Sequence, residues 1–251
     1  MNKIQLLFLF ALTASNMLNA QTSKTSELLV QYDMFLNFKG SVQYNAELIL
    51  NTNYSLFKYK PDDKELTYKE EAIDADSKVN VKIIDSAYSF VFIDKRNKAM
   101  IEKKKAMYFK EMFKVKESIP VINWVLTDEV KSIGELSCNK ATCFLKGRNY
   151  TVWYCLSIPT GFGPWKLNGL PGLIVEAVDN ENQVAFYLKK IISPYNKEIQ
   201  LEGTETEKIY SNEEFLKIQK DAQDEFQAKM ETKFDRGTKV KMDFKYDGIE
   251  R

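Results

Sequence analysis

The chain has 251 residues, 36 Lys plus Arg against 35 Asp plus Glu, 13% aromatic residues and no histidine. Near-neutral charge without a basic stripe argues against nucleic acid as a partner. The absence of histidine removes Ser-His-Asp and Cys-His nucleophile arrangements and makes zinc sites improbable, so no catalytic, metal or cofactor site is predicted.

Lys3 precedes an apolar run from Ile4 to Leu12, and a polar stretch then ends in Leu18-Asn19-Ala20 before Gln21. This is the pattern of a secretory signal cleaved after Ala20. No cysteine lies near that point to carry a lipid, and no other stretch approaches the ~20 apolar residues of a membrane span. The expected product is one soluble domain over 21–251 without stable membrane insertion.

From Glu27 to Phe38, Leu28, Val30, Tyr32, Met34 and Leu36 alternate with mostly polar residues, and Val42, Tyr44, Ala46, Leu48 and Leu50 repeat the pattern after Gly40. Period two predicts strands with one buried face. Asn51 to Asn53 turns the chain into a third strand, Tyr54 to Lys60. Residues 61–77 read as a long acidic surface loop without the spacing of a calcium loop. Strands are expected again at Val79 to Ile84, at Ala87 to Asp94 and in pieces from Met100 to Met112, with Lys103-Lys104-Lys105 as a solvated turn or edge. Ile122 to Leu126 and Val130 to Leu136 flank Thr127-Asp128-Glu129, whose two carboxylates read as hairpin surface rather than as an acid–base pair.

Asn139 to Ser157 is a predicted hairpin turning at Gly147-Arg148. That register sets Lys140 opposite Cys155 and leaves Cys138 diagonal to it, roughly 7–8 Å between Cα atoms, at or past the disulfide limit of about 7 Å. In an oxidising compartment three cysteines mean one bridge plus a free thiol, or three buried thiols, and Cys138–Cys155 is the candidate bridge. Leu173 to Val178, Ala185 to Ile192 and Ile199 to Leu201 supply further strands. Ser211 with Glu214 forms a capping box opening a helix over 211–235, with Phe215, Ile218, Ala222, Phe226, Met230 and Phe234 on one stripe.

Between these strands lies Gly161-Phe-Gly-Pro-Trp-Lys-Leu-Asn-Gly-Leu-Pro-Gly-Leu-Ile174, which holds four of the ten glycines and two of the six prolines. Such a run cannot be helix interior or central strand. It is not G-x-G-x-x-G and a strand follows it, which excludes a phosphate cradle. Gly169-Leu170-Pro171-Gly172-Leu173-Ile174 resembles the signature of the GLPGLI family. Trp124, Glu129, Lys131, Cys138 to Ala141, Gly147-Arg148, Trp153-Tyr154, Ile158-Pro159 and Gly163-Pro164-Trp165 fall in the order that family shows, so the resemblance is best over about 120–190. It implies an exported protein in the periplasm or cell envelope of a diderm bacterium, with no assigned reaction. Asp85-Ser86-Ala87 also resembles the short O-glycosylation acceptor of bacteria that carry this family, although three residues are a weak pattern and an ordinary turn is the favoured reading there.

About ten to twelve short strands in hairpin order, then one amphipathic helix, predict a mainly β fold: an antiparallel curved sheet or partly open barrel with the helix packed on it or across its mouth. Two roles fit. One is a non-catalytic protein binding an apolar ligand or an exported polypeptide on a concave β face. The alternative is a structural or interaction accessory of an envelope protein assembly. Gly163, Pro164, Trp165, Gly169, Leu170, Pro171 and Gly172 form the candidate loop, either as recognition surface or as a frame around a buried Trp165 plug.

Overall fold

A computed structural model describes residues 27–38, 40–62, 88–106, 111–199, 207–231 and 249–250. The alternating segments form β1 (Leu28–Asn37), β2 (Ser41–Leu50), β3 (Tyr54–Pro61), β4 (Ser89–Asp94), β5 (Ala99–Lys105) and β6 (Met112–Ser118). Then come β7 (Val125–Ile133), β8 (Leu136–Leu145), β9 (Arg148–Cys155), β10 (Leu173–Asp179), β11 (Val184–Ile192), β12 (Ile209–Ser211) and the helix α1 (Asn212–Glu231). The expected acidic loop, the strand from Val79, Ser86 and the end of the helix lie outside the described residues.

Among the described residues, twelve strands join one sheet in the order β12-β6-β5-β4-β3-β2-β1-β11-β10-β9-β8-β7. It is two meanders, β1 to β6 and β7 to β11, joined where β1 pairs β11. Curvature follows from the connection between them. The chain leaves β6 at Ser118 and enters β7 at Val125, ten strand positions away in the sheet. Laid flat, ten spacings would separate those strands by about 48 Å. The seven residue steps reach at most about 25 Å. The sheet must therefore curl, and the β8–β9 turn swings round to β6, where Lys146 Nζ lies 3.1 Å from Glu117. The fold is thus a mainly β, curved, open sheet with one C-terminal helix. The exception to antiparallel order is β12, which pairs parallel to β6.

The concave face carries the main core: Val30, Tyr32, Met34, Leu48, Phe57, Val91, Ile93, Met100, Val152 and Phe186. A smaller cluster of Leu29, Ile49, Tyr54, Leu56, Phe90 and Phe92 covers part of the outer face. The predicted capping box is present: Glu214 N donates to Ser211 Oγ at 3.1 Å and Ser211 N to Glu214 Oε2 at 2.8 Å. Of the expected apolar stripe, Phe215 is buried, against Ala106, Phe113 and Val115, while Ile218, Ala222 and Phe226 are half-buried.

Three local expectations are corrected. Thr127 to Glu129 is not a hairpin turn: β7 runs through it with a register irregularity between Leu126 and Val130, and the turn sits at Gly134-Glu135, where Gly134 takes φ 59°. The β8–β9 turn is Lys146-Gly147 rather than Gly147-Arg148, both residues having positive φ (48° and 80°), the type I′ geometry that matches strand twist. The register accordingly shifts by two, pairing Lys140 with Trp153 and Asn139 with Tyr154. One residue further, Cys138 comes abreast of Cys155 instead of diagonal to it. The Lys103-Lys104-Lys105 run is strand, and alternation turns Lys104 inward beside Glu102.

Candidate functional site

The glycine–proline segment closes on itself as a short loop laid across the concave face. Gly169 N donates to Gly161 O at 2.9 Å, Leu167 N to Pro164 O at 3.1 Å, and Phe162 bridges to Asn168. It is tied to the β6–β7 connection by Trp124 Nε1, which donates to Asn168 O at 2.9 Å. At Gly172 the loop rejoins the sheet so closely that a Cβ would lie 2.2 Å from Cys155 O, which only glycine allows. Gly169 sits at φ 96°, again glycine backbone.

These constraints drive the loop's side chains inward. Phe162, Trp165, Leu167 and Leu170 are buried in the main core. Of the candidate recognition residues, Gly163, Pro164, Trp165, Leu170 and Gly172 are buried, and only Gly169 and Pro171 are exposed. Trp165 is 1% exposed and itself adopts φ 55°. The loop therefore fills the part of the concave face beneath it.

The residue after Trp165 was not singled out by sequence. Lys166 is 0% exposed. Its Nζ lies 2.8 Å from Glu102 and 3.4 Å from Glu117, and it is ion-paired with Glu250. Lys104 bridges the same two sheet carboxylates, at 3.1 Å to Glu102 and 2.7 Å to Glu117. Lys146 reaches Glu117 at 3.1 Å and Glu250 at 3.6 Å. Burial by itself lowers the Lys166 pKa, but Glu102, Glu250 and Glu117 together raise it above the ordinary value. Burial likewise opposes the charge on Glu117, yet Lys166, Lys104 and Lys146 pull its pKa from an ordinary 4.5 to about 2. Lys104 and Lys166 are thereby held protonated and Glu117 ionised around neutrality, fixed charges suited to holding an ionic partner.

A second buried pair lies alongside. Arg148, 2% exposed, donates from NH1 to Asp179 Oδ2 at 2.8 Å and to Gln183 Oε1 at 3.0 Å. Asp179 Oδ1 accepts from the Gln183 and Val184 amides at 2.6 and 2.8 Å. Arg148 Nε donates to the Ile249 carbonyl at 3.1 Å. Ile249–Glu250, which follows a long stretch of chain after α1, therefore touches both clusters, its apolar side chain packed on the main core. Two buried donors close the site: among the described residues, Tyr150 OH and Trp165 Nε1 have no hydrogen-bond partner.

Asp128 and Glu129 lie apart from this site on β7, where Glu129 pairs with Lys140 at 2.7 Å. All three cysteines are buried free thiols, so the candidate Cys138–Cys155 bridge is not formed in this structure. Burial, and then the neighbouring Cys155, push the Cys138 thiol up to about 11, and burial pushes Cys143 up to about 12. Neither is an activated nucleophile.

No family model and no curated protein matches the chain. Among solved structures, PNGF-II in a C2 crystal form is similar at TM-score 0.49 and 14% identity, covering 78% of this chain and 33% of that one. An uncharacterized conserved protein from Thermus thermophilus is similar at TM-score 0.39 and 11% identity, covering 75% and 93%. The chain thus spans about a third of the PNGF-II chain. Likeness at this level is one of outline and carries no argument about function.

Proposed function

We propose that this chain, similar to the GLPGLI family, is an exported, non-catalytic binding protein of a diderm cell envelope, cleaved after Ala20, that holds an extended polypeptide on its concave β face. Of the two ligand classes expected, an apolar molecule and a polypeptide, the second is favoured. The space an acyl chain would need is taken by Phe162, Trp165, Leu167 and Leu170. The observation that carries the reading is the hydrogen bond from Arg148 Nε to the Ile249 carbonyl: buried groups of this face already hold a main-chain segment. Fixed charges without a nucleophile beside a base support binding over turnover. Native mass spectrometry of protein purified from its own envelope tests this. A retained polypeptide is expected, and a retained lipid would return the reading to an apolar ligand.

The accessory role keeps one specific support. β7 is an edge strand, and Val125, Leu126 and Val130 on it are 62%, 58% and 59% exposed. Exposed apolar edges invite strand addition by another chain. A co-purifying folded envelope protein released by Val130→Lys would favour this role.

A further inference from the structure

The site at Arg148 and Lys166 has the features of a reader of short sequence, and an inference about what it reads rests on the polypeptide-binding proposal above. Each group of Ile249–Glu250 meets a separate partner. The isoleucine side chain packs on the apolar core, its carbonyl accepts from Arg148 Nε at 3.1 Å, and the glutamate carboxylate enters the lysine cluster. The electrostatics make the carboxylate necessary. Asp179 already answers Arg148. Among the described residues, Lys104, Lys146 and Lys166 face only two carboxylates of the sheet, Glu102 and Glu117; the third is Glu250. Among the described residues, removing it leaves one positive charge unbalanced around a lysine with no solvent exposure, a costly state that favours any replacement anion.

We propose that this site binds extended peptides bearing an apolar residue followed by an acidic one, and that Ile249–Glu250 is a resident occupant which a guest segment displaces. Arg148 reads the main chain, the core reads the apolar side chain, and the lysines select carboxylate over a neutral side chain of the same shape. The tethered occupant competes at an effective concentration on the order of millimolar, so guests bind the intact chain weakly and bind tightly once Glu250 is removed.

The test uses the full chain and a fluorescein-labelled hexapeptide of residues 246–251, Tyr-Asp-Gly-Ile-Glu-Arg, followed by anisotropy. Glu250→Gln is expected to bind this peptide at least about tenfold more tightly than the unaltered chain does. The same peptide with glutamine for glutamate should bind at least about tenfold more weakly. Adding Lys146→Gln, whose side chain is one-third exposed and outside the packed core, to the Glu250→Gln chain should weaken the peptide again. Equal binding by both chains, equal binding of both peptides, or no binding to Glu250→Gln would overturn the proposal. If Glu250→Gln fails to fold, the unaltered chain decides: millimolar glutamate peptide must bind and the glutamine peptide must not, and the reverse or a tie overturns it. A polypeptide retained in native mass spectrometry without this glutamate dependence would leave the binding role standing and remove only this inference.

Discussion

Trp165 separates a structural frame from a recognition loop. It is 1% exposed, lies against Tyr150 with ring centroids 6.5 Å apart, and sits in the main core. Trp165→Ala should therefore cost about 3–5 kcal/mol, the range for emptying a buried tryptophan site. For a domain of this size each kcal/mol moves Tm by roughly 2–4 °C, so a fall of about 6–20 °C is expected by calorimetry. Trp165→Phe keeps an aromatic ring and removes an indole N–H that has no acceptor among the described residues, so it should lose well under half as much. Trp165→Gly should be no worse than Trp165→Ala, because φ 55° costs an alanine roughly what glycine loses in chain entropy. An exposed aromatic anchor would behave oppositely: truncation would cost about 2 kcal/mol of binding and leave Tm unmoved. An unchanged Tm for Trp165→Ala would refute the frame.

Glu117 is ionised in the folded chain at pH values where the unfolded chain has taken up a proton, so its stabilisation is complete above about pH 4.5 and drains away as pH falls towards 2. Glu117→Gln should flatten acid unfolding in that window, and an unaltered acid limb would disprove the coupling. With Cys138 abreast of Cys155, their Cα atoms fall at about 4.5–5.5 Å, within the span a disulfide bridges. Oxidised glutathione should convert that dithiol to a disulfide with loss of two hydrogens, Cys143 remaining reduced; peptide mapping that finds Cys143 bridged instead would exclude the register. Burial, and then the neighbouring Cys155, raise the Cys138 thiol to about 11, so reaction through that thiolate should quicken as pH rises from 7 to 10. The mature envelope form should begin at Gln21 by intact mass, and an unprocessed or lipid-bearing chain would contradict export to a soluble state. Neutralising Asp128 and Glu129 to Asn and Gln should change stability by no more than about 0.5 kcal/mol and leave binding intact, since the Glu129 side chain is 59% exposed and its pair with Lys140 is solvent-screened.

What could be read from the chain divides by the range of the interaction involved. β1 and β2 were legible because one side of each strand faces the core and the other does not, and period two writes that difference directly into Leu28 to Leu36 and Val42 to Leu50. The register of β8 on β9 was not, although its glycine was visible. A type I′ turn places residues of positive φ at both central positions, and Lys146 accepts that conformation at the first, so Gly147 marks the turn without marking its phase. A slip of two keeps every side chain on its own face, so hydrophobic alternation could not arbitrate. The ion cluster was hidden for a different reason. Glu102, Glu117, Lys146, Lys166 and Glu250 meet only because the sheet curls, and no local pattern encodes that meeting. One signal was nonetheless present. Lys166 stands between Trp165 and Leu167 inside a frame whose glycines and prolines leave little freedom to turn a side chain outward. A lysine held there either destabilises the frame or brings its own counter-charges. Strand carboxylates on core-facing positions are where those must be found, and Glu102, in step with Met100 on β5, is one that alternation alone could have nominated.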